Sequence, residues 1–488
     1  MTTRRDFLKR AGLGLAAAAT LPVLSGCPDA LFRYGVATRR SADGLLDTRL
    51  RLRFSHTCIG HEQVYTRAYD GRIPGPVLRV KPGDTLKIRL INDLPDEEDG
   101  HGHAKSDDVN VPHGFNTTNI HTHGLHVSPS GNSDNVFVQI PPGTHFDYEY
   151  NIPANHPAGT FFYHPHKHGS VTNQMMGGMA GALIVEGDID RVPEIAAAKD
   201  YIFLLQELRF EEDGHAPAHF PFHDLDNLML FRTVNGQVNP TIYLRPGEVQ
   251  RWRFIHAGVE HYLPLELDGH SLHQIAQDGI AFRSPEETDS VFLTPGNRAD
   301  VLVRGGQPGT YYLRKQAYDQ GRGEVPEDII ATVVVTGPPS FMRLPWLLPT
   351  PALHRTITDE EVTGSRSIVF SVQPAPAGEM FPRFLIDGHT FSPDRVDHSI
   401  PLGSVEEWTV INNHREDHPF HIHVNAFEVT HLNGDRLPRP RWHDVINVPP
   451  FGTATFRTRF EDFTGKFVLH CHLLVHEDLG MMQTVEVT

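Results

Sequence analysis

Three segments of this chain superimpose without a gap, and that repeat constrains the fold more than any other feature. They are residues 80–92, 244–256 and 400–412. Each reads as a turn followed by a strand in which apolar and polar residues alternate. Each has a later counterpart, beginning at Gly159, Gly309 and Gly465, and each counterpart leads towards a final apolar strand at 182–185, 331–335 and 484–487. Self-similarity at this period means a triplicated domain, not a solenoid. The pattern predicts an all-β chain of three antiparallel β-sandwiches at 46–188, 200–337 and 365–488, joined before the third by a proline-rich connector at 338–364. The length of 488 residues suits about three domains. The 42 glycines and 38 prolines supply the turns that short strands need.

The first 27 residues read as an export signal, not as fold. Thr3-Arg4-Arg5-Asp6-Phe7-Leu8-Lys9 is a twin-arginine pattern, and an apolar Ala-rich run follows from Ala11 to Leu24. That run is too short for a membrane span. Leu24-Ser25-Gly26-Cys27 resembles a bacterial lipoprotein cleavage box, which predicts a lipid anchor through Cys27 and a place in the periplasm or on the outer face of the membrane. The formal net charge is −17, and loss of the leader makes it more acidic. Such a charge argues against nucleic acid or an anionic membrane surface as partner. There are three cysteines. With Cys27 assigned to the leader and Cys471 to a metal motif, Cys58 is expected to have no disulfide partner.

Histidine is the unusual residue: there are 32, many of them clustered. The clusters are His121-Thr122-His123, His164-Pro165-His166, His418-Pro419-Phe420-His421-Ile422-His423 and His470-Cys471-His472. On a strand, alternate side chains share a face, so each His-X-His pair offers two imidazoles to one side. In the last cluster Cys471 faces the opposite way, so one segment could hold metal on both sides. Neutral imidazole suits copper, and a Cys with two His and a distant Met is the ligand set of a blue copper electron-transfer site. His476 and Met481 follow Cys471 at loop distance. Aligning the repeats shows where this chemistry is missing. Five residues after the three glycines stand His164, Arg314 and His470, and seven after stand His166, Gln316 and His472. The middle repeat lacks the pair, so it reads as a spacer and substrate wall. The acidic, His-containing loop at 96–113 reads as a solvated insertion, with an auxiliary metal site as the alternative.

Taken together, the four motifs resemble those of the multicopper oxidases, the laccase-like and cuprous-oxidase-like proteins built from three cupredoxin domains. The resemblance covers the whole mature chain and implies three consecutive cupredoxin-like Greek-key sandwiches holding four copper ions. It implies that His418, Cys471, His476 and Met481 hold a type 1 copper and that His121 and His421 hold a type 2 copper. His123, His164, His166, His423, His470 and His472 would hold a type 3 pair. Donor electrons would enter near His476, pass Cys471 and reduce dioxygen to water. Glu477 and Asp134 match carboxylates that supply protons in the family. Thr122 and Pro165 depart from the Trp and Ser common at those positions, and Pro165 is expected to cost its strand a ladder bond. The implied activity is that of a blue, low-to-medium-potential laccase acting on phenols or similar aromatics. The alternatives are a metallo-oxidase for Cu(I), Fe(II) or Mn(II) and a non-catalytic envelope scaffold of the same fold. The Met175-Met176-Met179 group reads as core rather than as a copper-binding segment.

Overall fold

The computed structural model describes residues 36–97 and 108–488, apart from 219, 221, 223 and 224. The twin-arginine segment, Cys27 and most of the acidic loop lie outside the described residues.

Strand formation follows the sequence alternation. In Leu45–Ile59 the first eight residues alternate between exposed and buried, as a strand with one solvated face requires. Two-residue turns at Asp70-Gly71, Asn235-Gly236, Asp278-Gly279, Asp387-Gly388 and Asn433-Gly434 have positive φ at both positions. This is the geometry whose twist matches a hairpin.

The third unit holds two sheets. One orders Arg383–Ile386, Gly364–Gln373, Ser404–Asn412, Thr453–Phe460, Phe427–Leu432 and Asp435–His443. The other orders His398–Ile400, Met482–Val487, Gly465–Cys471, His418–Ile422 and Val445–Val448. The middle unit repeats both orders strand for strand, from Lys199–Phe210 to Asp328–Val335. The first unit has a four-stranded and a five-stranded sheet. The aligned segments occupy equivalent places: Thr85–Asn92, Val249–His256 and Ser404–Asn412 each pair in parallel with the long strand before them. Thr38–Arg40 pairs with Val77–Val80, so the first unit's sheet begins at residue 38.

Each unit has an apolar core, and the third unit's core runs on into its neighbours. It takes in Val171, Met175 and Met176 from the first unit and Val259 and Tyr262 from the middle one. Met175, Met176 and Met179 are fully buried. The first two lie on the short helix Val171–Met176.

Two expectations are corrected. The strand carrying His164 ends at that residue, so Pro165 lies beyond the ladder and costs it no bond. Cys58 is disulfide-bonded, whereas Cys471 is free.

A buried charge network joins the first and middle units. Asp300 accepts from Thr160 Oγ1 at 2.6 Å and from Arg251 Nη2 at 2.5 Å. Arg253 donates to Thr160 Oγ1 at 3.0 Å and to Asp190 at 2.9 Å. Arg251, Arg253 and Asp300 are each 1% exposed. Asp300→Ala would leave two guanidiniums short of a buried counter-charge. It should cost about 3–5 kcal/mol of stability, read as a fall in the denaturant midpoint.

Candidate metal centre

The site forms where strands from the first and third units meet. His121–His123 pairs with Gly159–His164, placing His121 opposite His164. His418–Ile422 pairs with Gly465–Cys471, placing His421 opposite His470 and Phe420 opposite Cys471. Only the first His-X-His pair lies wholly within a strand. The other three straddle a strand end, with His166, His423 and His472 just beyond it. Ring separations within the pairs stay between 5.0 and 5.9 Å. The two units then face each other ring to ring. His121 stacks on His423 at 3.8 Å and 12°, and His123 stacks on His421 at 4.0 Å and 8°.

This meeting sorts the eight imidazoles. His123, His164 and His472 form one group, and His166, His423 and His470 form another. His121 and His421 gather with His123. In each group the ligand atoms lie within 4.8 Å of one another. His470 Nε2 is 3.2 Å from His166 Nε2 and 3.3 Å from His423 Nε2. Two nitrogens sharing a first-row metal ion at about 2 Å stand roughly that far apart. His121 Nε2, His123 Nδ1, His164 Nε2, His421 Nε2 and both nitrogens of His472 are buried without a hydrogen-bond partner. Orphaned buried nitrogens are costly alone and are what metal ions would satisfy. Burial holds these imidazoles well below their usual pKa, so their lone pairs are free.

Behind the strand lies the second site. Cys471 Sγ is 3.4 Å from His418 Nδ1 and 3.7 Å from His476 Nδ1, and those two nitrogens are 3.2 Å apart. The stretch after Cys471 was read as a loop. It is a one-turn helix, Leu474–Asp478, and this turn swings His476 back onto the sulfur. Met481 is fully buried, and its backbone bonds to both neighbours: its carbonyl accepts from the Cys471 N–H, and its own N–H donates to the His476 carbonyl. Burial pushes the thiol pKa up, so a metal cation is what would stabilise a thiolate here. His476 is 2% exposed and stacks on Phe384 at 4.0 Å. Phe381, Phe220 and Phe222 extend this aromatic cover.

Carboxylates fix the rings from outside. Asp134 Oδ2 accepts from His121 Nδ1 at 2.8 Å, which turns Nε2 inward. Asp134 Oδ1 accepts from the Thr122 N–H and hydroxyl at 2.8 and 3.1 Å, so Thr122 is a support for that acid. Glu477 lies 3.1 Å from His470 Nδ1 and 3.5 Å from His166 Nδ1. Neither of its oxygens has an aligned hydrogen bond, because His470 directs Nδ1 at the Cys471 carbonyl. Burial raises both acids to about 7.

The middle unit, read as a spacer, contributes a support that sequence reasoning missed. Arg298 is fully buried and donates to Asp444 at 2.6 and 2.5 Å. Asp444 in turn lies 3.4 Å from His123 Nε2, which leaves Nδ1 as that ring's open nitrogen. Asp278 accepts from the Arg298 N–H at 2.9 Å. The only trace in the sequence is a polar Asn297-Arg298-Ala299-Asp300 opening to an otherwise apolar strand. Gly124 has a φ of +84°, and a Cβ there would stand 2.3 Å from Arg298 Nη2 and 2.4 Å from Asp444 Oδ2. Asp478 caps the Val171–Met176 helix from the third unit, accepting from Gly169 N at 2.7 Å and Thr172 N at 2.8 Å.

Family models described as multicopper oxidase match residues 109–189, 208–336 and 362–488. The chain is 27% identical to the multicopper oxidase mco of Staphylococcus haemolyticus over 444 residues, covering 87% of this chain and 84% of that one. It is 25% identical to a laccase of Bacillus subtilis, with 86% and 90% covered. Among solved structures it resembles a Campylobacter jejuni multicopper oxidase described as a metallo-oxidase. The TM-score is 0.78 and the identity 27%, over 93% of this chain and 94% of that one. The cell division protein FtsP of Dickeya dadantii is also similar, at 24% identity over 98% and 97%.

Because the three imidazole groups draw on two units, metal bound there should hold the units together. Removing bound metal with a chelator should lower the melting temperature, by an amount that grows with the logarithm of the metal affinity. Gly124→Ala, by displacing Arg298 and Asp444 from behind His123, should weaken metal binding about 10–100-fold. Metal analysis after dialysis against a chelator series will check this.

Proposed function

Because the chain belongs to the multicopper oxidases, we propose that it is a laccase-like enzyme that oxidises phenols or similar small aromatics one electron at a time. It is a copper-dependent oxidoreductase with dioxygen as electron acceptor, and the family's cofactor is four copper ions. The observation that carries the reading is the two-sided strand end, with His470 and His472 joining the imidazole groups while Cys471 joins His418 and His476.

In this reading His418, Cys471, His476 and Met481 hold the type 1 copper, and His121 and His421 hold the type 2 copper. The type 3 pair is divided between His123, His164 and His472 on one ion and His166, His423 and His470 on the other. The orphaned nitrogens support that assignment. Bound copper supplies the one-electron acceptor and the multi-electron reductant that side chains lack. The chain supplies short covalent links, since Cys471 stands one residue from a ligand on either side. Glu477 and Asp134 reach the ligand rings from the protein side and act as the proton donors.

The aromatic cover of Phe384, Phe381, Phe220 and Phe222 supports an apolar aromatic donor over a metal ion. The carboxylate nearest His476 is Glu416, at 3.9 Å from Nε2. Arg322 engages it at 3.2 Å and also engages Glu260 at 2.8 Å, which lowers the attraction for a cation. The metallo-oxidase reading therefore stays second. A copper-free scaffold role is opposed by the complete ligand set.

Export by the twin-arginine route is part of the proposal and rests on the motif at Thr3–Lys9. The finer expectation of a lipid on Cys27 rests on the cleavage-box pattern Leu24-Ser25-Gly26-Cys27. Mass spectrometry of the exported protein will find a lipidated Cys27 at the N-terminus if the cleavage box is used, and an unmodified Cys27 or a cut elsewhere would remove the anchor from the proposal.

Oxygen uptake should rise with a phenol such as 2,6-dimethoxyphenol and stay low with Cu(I), Fe(II) and Mn(II); the reverse order would make it a metallo-oxidase. Cys471→Ser should abolish donor oxidation and the intense visible band while leaving the other coppers bound. Glu477→Gln should slow dioxygen turnover roughly a hundredfold without changing the visible band.

A further inference from the structure

At the junction of the first and third units lies a cavity of about 450 Å³. That volume falls in the range of small-molecule sites. Its walls include Phe137, Phe391 and Val468, and it reaches His166. It shares no lining residue with the site around Cys471 and His476.

Its charge is the informative feature. Lys167 and Lys466 both line it, and no carboxylate is among the described lining residues, in a chain of net charge −17. Lys167 is 5% exposed, and its Nζ donates to the His113 carbonyl at 3.2 Å. An ammonium has three donors, so a ligand can take the rest. Lys466 is exposed and adds positive charge to the lining. Asp478 and Glu97 act on the Lys167 charge without lining the cavity. An apolar aromatic chamber whose described lining carries cationic groups and no acid suits one ligand chemistry: an aromatic ring bearing a carboxylate.

We propose that this cavity is a binding site for a small aromatic carboxylate, with its ring against Phe137 and Phe391 and its carboxylate on Lys167 and Lys466. Through His166 the occupant sits against the three-metal centre and hinders dioxygen while leaving the donor site free. The binding rests on the cavity alone; the pattern of inhibition rests on the proposed function.

Benzoate and the uncharged benzamide are the probes, titrated calorimetrically into the copper-loaded protein. Benzoate should bind at least about tenfold more tightly than benzamide, the worth of one charge-assisted hydrogen bond. Lys167→Gln should remove about tenfold of benzoate affinity, and Lys466→Gln about threefold, with benzamide unchanged. If Lys167→Gln fails to fold, the exposed Lys466→Gln still decides. Equal binding of the two probes, or benzoate affinity unmoved by Lys466→Gln, would overturn the site. In oxygen-uptake kinetics benzoate should raise the KM for dioxygen and leave the KM for the phenol alone. If benzoate binds as described but competes with the phenol, the cavity is not where it acts.

Discussion

Everything in this molecule depends on one seam, where two short His-bearing strands from different units lay imidazole on imidazole in two buried stacks. His121 over His423 and His123 over His421 bring together groups that no single sandwich contains. Burying so many unpaired ring nitrogens would cost several kcal/mol without compensation. The fold tolerates the arrangement because metal ions would satisfy those nitrogens. The rest of the site serves to hold the rings with one nitrogen turned inward. Asp134, Asp444 and the Pro165 and Cys471 carbonyls each hold or face the other nitrogen of a ring.

The middle unit shows how a repeat that lost its ligands can stay indispensable. Its strand Arg298–Arg304 places a fully buried guanidinium beneath the seam, and Asp300 in the same strand anchors the first unit through Thr160. On the opposite flank Arg322 reaches the third unit beside His476. Charge that could not be buried within one sandwich is paired across two. The three units therefore depend on one another for electrostatics as well as for packing.

The two sides of the Cys471 strand differ in what they admit. The side facing His418 and His476 is closed by phenylalanines and by acids already engaged by arginine. The seam side is flanked by a chamber of about 450 Å³ whose described lining is basic. An oxidase needs this separation, because donor and oxidant must be held apart while electrons pass between them. The covalent shortness of His470-Cys471-His472 makes that compatible with two sites that share no open space.

The sequence alone determined the triplication, the strands at the aligned segments and the histidines and cysteine that the fold gathers into candidate metal groups. Those depend on local signals: alternation sets the strands, and period two places two imidazoles on one face. It could not show which rings would share an ion, because His123, His164 and His472 come together only when two units dock. Nor did it show the turn of helix that brings His476 to Cys471, since five residues carry too little periodicity to be read. Arg298, Asp444 and the support Thr122 gives Asp134 were all but illegible for another reason: each acts on a partner set apart in sequence. Cys58 is bonded where no partner was expected, because a count of cysteines does not say which sulfurs meet. The chain encodes ligands locally, but tertiary contact alone decides their grouping, since a shared metal site is a property of distance and not of order.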